Sequence, residues 1–247
     1  CPVVGAGAGQ PWGPPLETAQ FFDTDVFNHG VVALALRGPF TTEIGLCHGT
    51  EASGIRSIVT KARGNEILEI DGRSAVDVWR EVTGADAQSL LNQSHFAMWA
   101  VGIEKSVDVA GEVKTEHVIR GAFGFDNQTG AMRLQAAIPE GTKIALHHRT
   151  VSKVMNGTAT MAQDLKSRLA GRRPWAVLGF ECAARTFPFL GPANTREEHR
   201  LLRQAIGPES PWLGMMAWGE IAPTLGQTMF HNYTYPVIAF LPDSGSL

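Results

Sequence analysis

Cys1 is the first residue whose chemistry stands out. A thiol on residue one lies beside its own α-amino group, with an ordinary pKa near ~8, so nucleophile and general base arrive together. Such a thiolate attacks an amide or related acyl carbon while separate hydrogen-bond donors hold the oxyanion. The same thiol could cut the peptide bond before it, making processing and turnover one chemistry. An arbitrary fragment start and a lipoprotein cysteine left by signal cleavage are the rival readings; against the latter, Pro2-Val3-Val4 resembles a buried strand more than a polar tether. Cys47 beside His48 offers a second thiol–imidazole pair, although adjacent side chains diverge in a strand. Cys182 lies among apolar residues and reads first as a small buried hydrophobe.

Arg185, Glu220, His231 and Asn232 adjoin apolar strands. One reading makes them an internal salt-bridge and capping set. The other makes them a pocket, in which Arg185 grips a carboxylate through its two-pronged guanidinium. Asn232 would then donate to an oxyanion, and Glu220 or His231 would orient a leaving group or move a proton. The candidate catalytic set is Cys1, Glu220 and Asn232, and the candidate ligand-binding set is Arg185, His231, Cys182 and Thr234. His147 and His148 are adjacent, so in a strand they face opposite ways and cannot chelate one ion. No CxxC, HExxH or paired-His spacing marks a metal site, and no glycine-rich phosphate loop with its lysine marks a nucleotide site.

The elements that must position these residues are legible in outline. The chain has 247 residues, 44% hydrophobic and 18% charged, with a net charge of −3. That is ample for a core and unlike a disordered chain. With no basic stripe, a nucleic-acid partner is not expected. The apolar runs Val31–Leu36 and Trp175–Phe180 fall far short of the ~20 residues of a membrane span. Three cysteines cannot build a disulfide framework and are expected reduced, in a cytoplasmic protein.

Phe21–Phe27 and Gly30–Leu36 read as strands around a turn at Asn28-His29-Gly30. Ala75, Val78, Trp79 and Val82 predict a helix over 74–82, and Val151, Val154, Met161, Leu165 and Leu169 a second over 150–169. Trp175–Cys182 reads as a buried strand. Asn194–Ile206 reads as an amphipathic helix capped by Asn194 or Thr195. Gln88–Ala100 is ambiguous. Strands and helices alternate without a strict βαβ rhythm, so the expected fold is an α/β or α+β layered sandwich, with mixed β-sheets flanked by helices.

Several segments together resemble the FIST family. Val3–Gly9 and Phe21–Leu36 are similar to the later part of its N-terminal region. Val59-Thr60-Lys61, Gly64-Asn65 and Glu69-Ile70-Asp71-Gly72 are similar to the junction before its C-terminal domain. Ile119-Arg120, Gly124, Asp126 and Ile138-Pro139-Glu140-Gly141 continue the likeness. The most telling block runs Phe180, Cys182, Arg185, Gly214, Trp218-Gly219-Glu220-Ile221 and His231-Asn232-Tyr233-Thr234. The resemblance implies residues 1–72 as the second half of the N-terminal region and 73–247 as the C-terminal domain. It implies a sensor of small ligands, with amino acids or haem and nitric oxide as ligands. His48, His95, His117 and His231 are the candidate haem ligands, and otherwise no cofactor is expected.

Set beside Cys1, the half-represented N-terminal region points to a processed precursor whose N-terminal fragment stays associated, in an oligomer. The leading expectation is therefore an N-terminal-cysteine hydrolase cleaving a C–N bond in a small amide or cyclic amide; the alternative is the FIST-type ligand sensor.

Overall fold

The computed structural model describes residues 1–9, 18–86 and 98–243. The longest sheet uses strands β5 (Thr50–Arg63), β6 (Glu66–Ile70), β7 (Arg73–Ser74), β8 (Trp99–Val109), β9 (Glu112–Arg120), β10 (Ala122–Asp126), β11 (Ala131–Leu134) and β12 (Lys143–Arg149). They pair antiparallel throughout, in the order β10-β11-β6-β5-β12-β8-β9, with β7 on β6. Helix α1 (Ala75–Thr83) lies on this sheet and buries Val76 and Trp79. Ser74 caps it by accepting from the Asp77 N–H, and Gly84 ends it in the left-handed conformation at φ 69°.

A second sheet has four strands: β4 (Phe40–Gly45), β13 (Ala176–Cys182), β14 (Trp212–Ala217) and β17 (Val237–Pro242), in the order β14-β13-β17-β4. Only β13 and β14 run parallel there, and helix α3 (Gly191–Ile206) makes the crossover. Helix α2 (Val151–Leu169) packs beside α3, and Leu165, Leu169, Leu202 and Ile206 share a core with Val177, Val237 and Leu241. Strands β15 (Glu220–Thr224) and β16 (Gln227–His231) form a hairpin, and β1 (Gly5–Ala6) joins its β15 edge. Strands β2 (Gln20–Phe22) and β3 (Asp25–Phe27) make a small hairpin of their own. The result is the expected layered α/β fold of mixed sheets with three α-helices among the described residues.

Four local expectations need correction or placing. The turn of the first hairpin is at Asp23-Thr24, with Asp23 at φ 50°, and Gly30–Leu36 carries no strand: Val31 is 89% and Leu34 81% exposed. Helix α3 begins at Gly191, ahead of Asn194, because Pro192 suits the first turn. The side chains of Asn194 and Thr195 then donate back to the Leu190 and Gly191 carbonyls and do not cap. The β15–β16 hairpin falls where no strand pair is read from the sequence. Most of the ambiguous stretch, residues 87–97, lies outside the described residues.

The chain between β4 and β5 presses onto α2. A Cβ on Gly49 would lie 2.4 Å from the Val154 Cα, and one on Gly157 would lie 3.0 Å from the Gly49 Cα. Gly49 also has φ +62°, so a side chain there is strained as well as crowded. We expect Gly49→Ala to cost roughly 2–5 kcal/mol. Gly111→Ala, at φ +87° with open space around it, is expected to cost about 1–2 kcal/mol. Urea unfolding of the two variants checks this; equal losses would show that backbone strain alone, not contact with α2, sets the cost.

Candidate functional site: a histidine-lined cavity where the sheets meet

A cavity of about 650 Å³ lies where β4, β9, α2 and the β15–β16 hairpin converge. Cys47 and His48 line it from the β4–β5 connection, Thr50 from the start of β5, His117 from β9, and His231 from β16. Helix α2 contributes Lys153, Asn156, Thr160 and Asp164. The charges on this wall are already paired: Lys153 meets Glu51, and Arg168 meets Asp164 at 2.9 Å and Glu43 at 2.7 Å.

The imidazoles are held neutral. Burial pushes His48 and His231 down to about 4 and His147, just behind them, to about 3, and lowers His117 less far. His48 Nδ1 accepts from the Thr50 backbone N–H at 3.0 Å, which assigns its proton to Nε2. The Thr50 hydroxyl bridges His48 Nδ1 at 2.9 Å and His147 Nδ1 at 2.8 Å. His231 Nε2 donates to the Ala222 carbonyl at 3.2 Å. The Cys47 thiol is raised by burial, opposed by the Arg185 charge. A thiol in that state is a poor nucleophile.

Behind Cys47 is a wholly buried ion pair. Arg185 donates to Glu198, to the Thr158 hydroxyl at 3.0 Å, and to the carbonyls of His48 and Tyr233 at 3.3 and 3.2 Å. Both partners are 0% exposed. Burial, the largest influence, would raise the Glu198 carboxyl, but the Arg185 charge together with the hydrogen bonds from Thr158 and Arg185 holds the group below its ordinary range. One guanidinium thus ties the β4–β5 connection, α2, α3 and the chain before β17.

The sequence-derived candidates fall in three places. Glu220, Thr234 and Cys182 form one buried cluster: Glu220 accepts from Thr234 N–H at 3.1 Å, from its hydroxyl at 2.9 Å, and from Gly219 N–H at 3.2 Å, with Cys182 also beside it. Burial pushes Glu220 up to about 7 and the Cys182 thiol up further. Asn232 accepts from the Gly121 N–H at 2.9 Å and donates to Gln135, clasping the chain after β16 to the long sheet. Arg185 belongs to the ion pair, and of the ligand-binding set His231 is the member that lines the large cavity. Cys1 is exposed, and its thiol meets the Pro2 carbonyl at 3.6 Å. Of the candidate haem ligands, His48, His117 and His231 line one cavity, and His95 lies outside the described residues.

Glu198, Thr158 and Thr50 are the residues sequence reasoning missed. A signal existed for two of them. Glu198 precedes Leu202 and Ile206 at helical spacing, and Thr158 stands between Val154 and Met161, so each polar side chain interrupts an apolar stripe.

Residues 75–223 match the family model described as the FIST C domain, and residues 1–73 match the FIST N domain. The chain belongs to the FIST family. Among its relatives, an uncharacterized protein of Mycobacterium bovis is 27% identical over 230 residues, covering 92% of this chain and 57% of the relative. An uncharacterized protein of Mycobacterium tuberculosis is 26% identical over 228 residues, covering 91% and 57%. The chain therefore spans a little over half the length of the curated relatives it matches. No solved structure is significantly similar to it. Among the described residues no group of three or more His, Cys, Asp or Glu is arranged to hold a metal ion, and no helix is long and apolar enough to cross a membrane.

Two predictions follow from this geometry. Removing one partner of the buried pair, in Arg185→Met or Glu198→Leu, is expected to cost about 3–5 kcal/mol. The double variant should cost clearly less than the sum, because no charge is left stranded; additive losses in urea unfolding would contradict the pairing. The second concerns pH. His48, His147 and His231 stay neutral in the fold and take up protons on unfolding below about 6.5, so their contribution to stability falls as pH drops from about 6.5 toward 4. Glu220 works in the opposite sense between about 4.5 and 7, since its native proton is released on unfolding, and Glu181 and His199, also raised in the fold, act with it, so the histidine contribution is isolated by substitution. His231→Gln should flatten the slope by about 1.4 kcal/mol per pH unit. An unchanged slope would mean that His231 is charged in the folded protein.

Proposed function

We propose that this chain is a ligand-binding module of the sensory type, holding a small molecule in the histidine-lined cavity. The observation that carries the reading is the character of its wall: polar side chains from four separate elements, with neutral imidazoles and a thiol kept protonated. Such a wall supplies hydrogen bonds for recognition without an activated nucleophile. A ligand there touches α2 and both sides of the sheet junction, and Cys47 and His48 couple the cavity to Arg185. Occupancy thereby bears on how α2 and α3 pack, which is the kind of change a partner reads. Family membership supports a role in ligand binding or signal transduction.

Amino acids and haem are the ligands to test. For haem, the tautomers assigned to His48 and His231 leave His117 as the cavity imidazole without a hydrogen bond among the described residues, its ring meeting that of His147 at 4.5 Å.

The hydrolase reading keeps one favouring observation. Strand β1 brings Ala6 opposite Glu220, whose carboxyl, at about 7, lies in the range useful for proton transfer. Against it stand the exposed Cys1 thiol and the three hydrogen bonds already made to Glu220. If this reading holds, Cys1→Ala abolishes hydrolysis of small amides.

A thermal-shift screen of the free amino acids, with a haem titration followed at the Soret band, tests the sensor reading. A ligand at ~100 times its Kd contributes about 2.7 kcal/mol, or roughly 5–10 °C for a chain of this size. Thr160→Trp, on the exposed face of α2 at the cavity wall, is expected to abolish the shift while leaving the unliganded Tm within a degree or two. A screen with neither a shift nor a Soret band would remove amino acids and haem as ligands.

A further inference from the structure

A second cavity, of about 280 Å³, lies on the far side of α3 against strands β13 and β14, and shares no lining residue with the first. Its volume lies just below the usual range of ligand cavities, about 300–1,000 Å³, and suits a small molecule. Two kinds of surface meet in it. Met216 and Tyr235 supply a soft apolar wall, and Met216 is 56% exposed although it is large and uncharged. The polar lining comes from Glu181, His199, Arg203 and Trp212.

The polar groups select a charge. His199 Nε2 and a Glu181 carboxyl oxygen lie 2.8 Å apart. Burial raises the affinity of the Glu181 carboxyl for a proton, and the Glu181 hydrogen bond raises that of His199. Arg203, at the rim of α3, donates one Nη2 bond to the Pro208 carbonyl and faces no carboxylate among the ion pairs of the described residues. Arg203 is therefore a cation of the lining that no carboxylate among the described residues pairs with. The Trp212 indole N–H is buried and has no hydrogen-bond partner. The N–H is enclosed in the core beneath the cavity while other atoms of the Trp212 ring line it, so its resonance reports on the cavity wall.

We propose that this cavity is a second binding site, for a small monocarboxylate with an apolar tail: the carboxylate takes the Arg203 guanidinium, and the tail lies along Met216 and Tyr235, beside the Trp212 ring. A cationic ligand would meet Arg203 unfavourably, and a dianion would leave one charge unpaired. The site is separate from the histidine-lined cavity and does not depend on what that cavity binds.

Indole N–H resonances of ¹⁵N-labelled protein test this, with the Trp212 signal assigned through Trp212→Phe. Hexanoate is expected to move the Trp212 signal saturably, and hexanamide, its neutral counterpart, to bind at least tenfold more weakly. Arg203→Gln, at an exposed position, should keep the dispersed spectrum of the wild type and lose hexanoate binding at least tenfold. A Trp212 signal unmoved by hexanoate would overturn the site. Equal response to hexanamide, or unchanged hexanoate binding by Arg203→Gln, would overturn the carboxylate assignment and leave only an apolar crevice.

Discussion

Arg185 and Glu198, paired out of reach of solvent, join four separate segments of the chain. A guanidinium and a carboxylate with no exposure must satisfy each other and most of their remaining hydrogen-bonding capacity locally. Arg185 does so by reaching α2 through Thr158, α3 through Glu198, the β4–β5 connection through the His48 carbonyl, and the chain before β17 through Tyr233. Those segments cannot move independently without stranding a buried charge. An apolar core tolerates sliding and repacking far better, because dispersion and burial are not directional.

The cavity follows from that anchoring. Gly49 and Gly157 let the β4–β5 connection lie directly on the α2 backbone, and Arg185 fixes it from behind. The side chains of Cys47, His48 and Thr50 are thereby held at the mouth of a junction that the long sheet and the β15–β16 hairpin close. Asn232 and Glu220 fasten the same junction from the other side: one clasps the long sheet at Gly121, and the other receives three hydrogen bonds from Gly219 and Thr234. Buried polar groups that look catalytic in a sequence thus serve here as directional fasteners between layers.

Legibility varied with how local the determining interaction is. Helices α1 and α2 were readable because their apolar spacing and the caps Ser74 and Thr150 lie within the segments themselves. The start of α3 was displaced because Asn194 and Thr195, good cap residues in isolation, bond back to carbonyls once Pro192 begins the helix earlier. Val31–Leu36 shows the limit of pattern alone: an apolar run with strand propensity needs a neighbouring strand to become one, and among the described residues it has none. The polar set Arg185, Glu220, Asn232 and Thr234 was found by residue type. Its division into an ion pair, a carboxyl cluster and an interlayer clasp was not, because the partners Glu198, Gly121 and Gln135 are remote in sequence or hidden in a helix stripe.

By itself, the sequence determined the layered α/β class, the helical stripes and the family, through composition, periodicity and ordered short motifs. The tertiary structure alone decided that His48, His117 and His231, spread over 184 residues, line one cavity. It also decided that their imidazoles are neutral, and that the thiol beside them is Cys47. The physical reason is that periodicity is a property of a segment, whereas burial and charge pairing are properties of surfaces brought together from distant segments. The proton affinity of a histidine is set by what surrounds it in space.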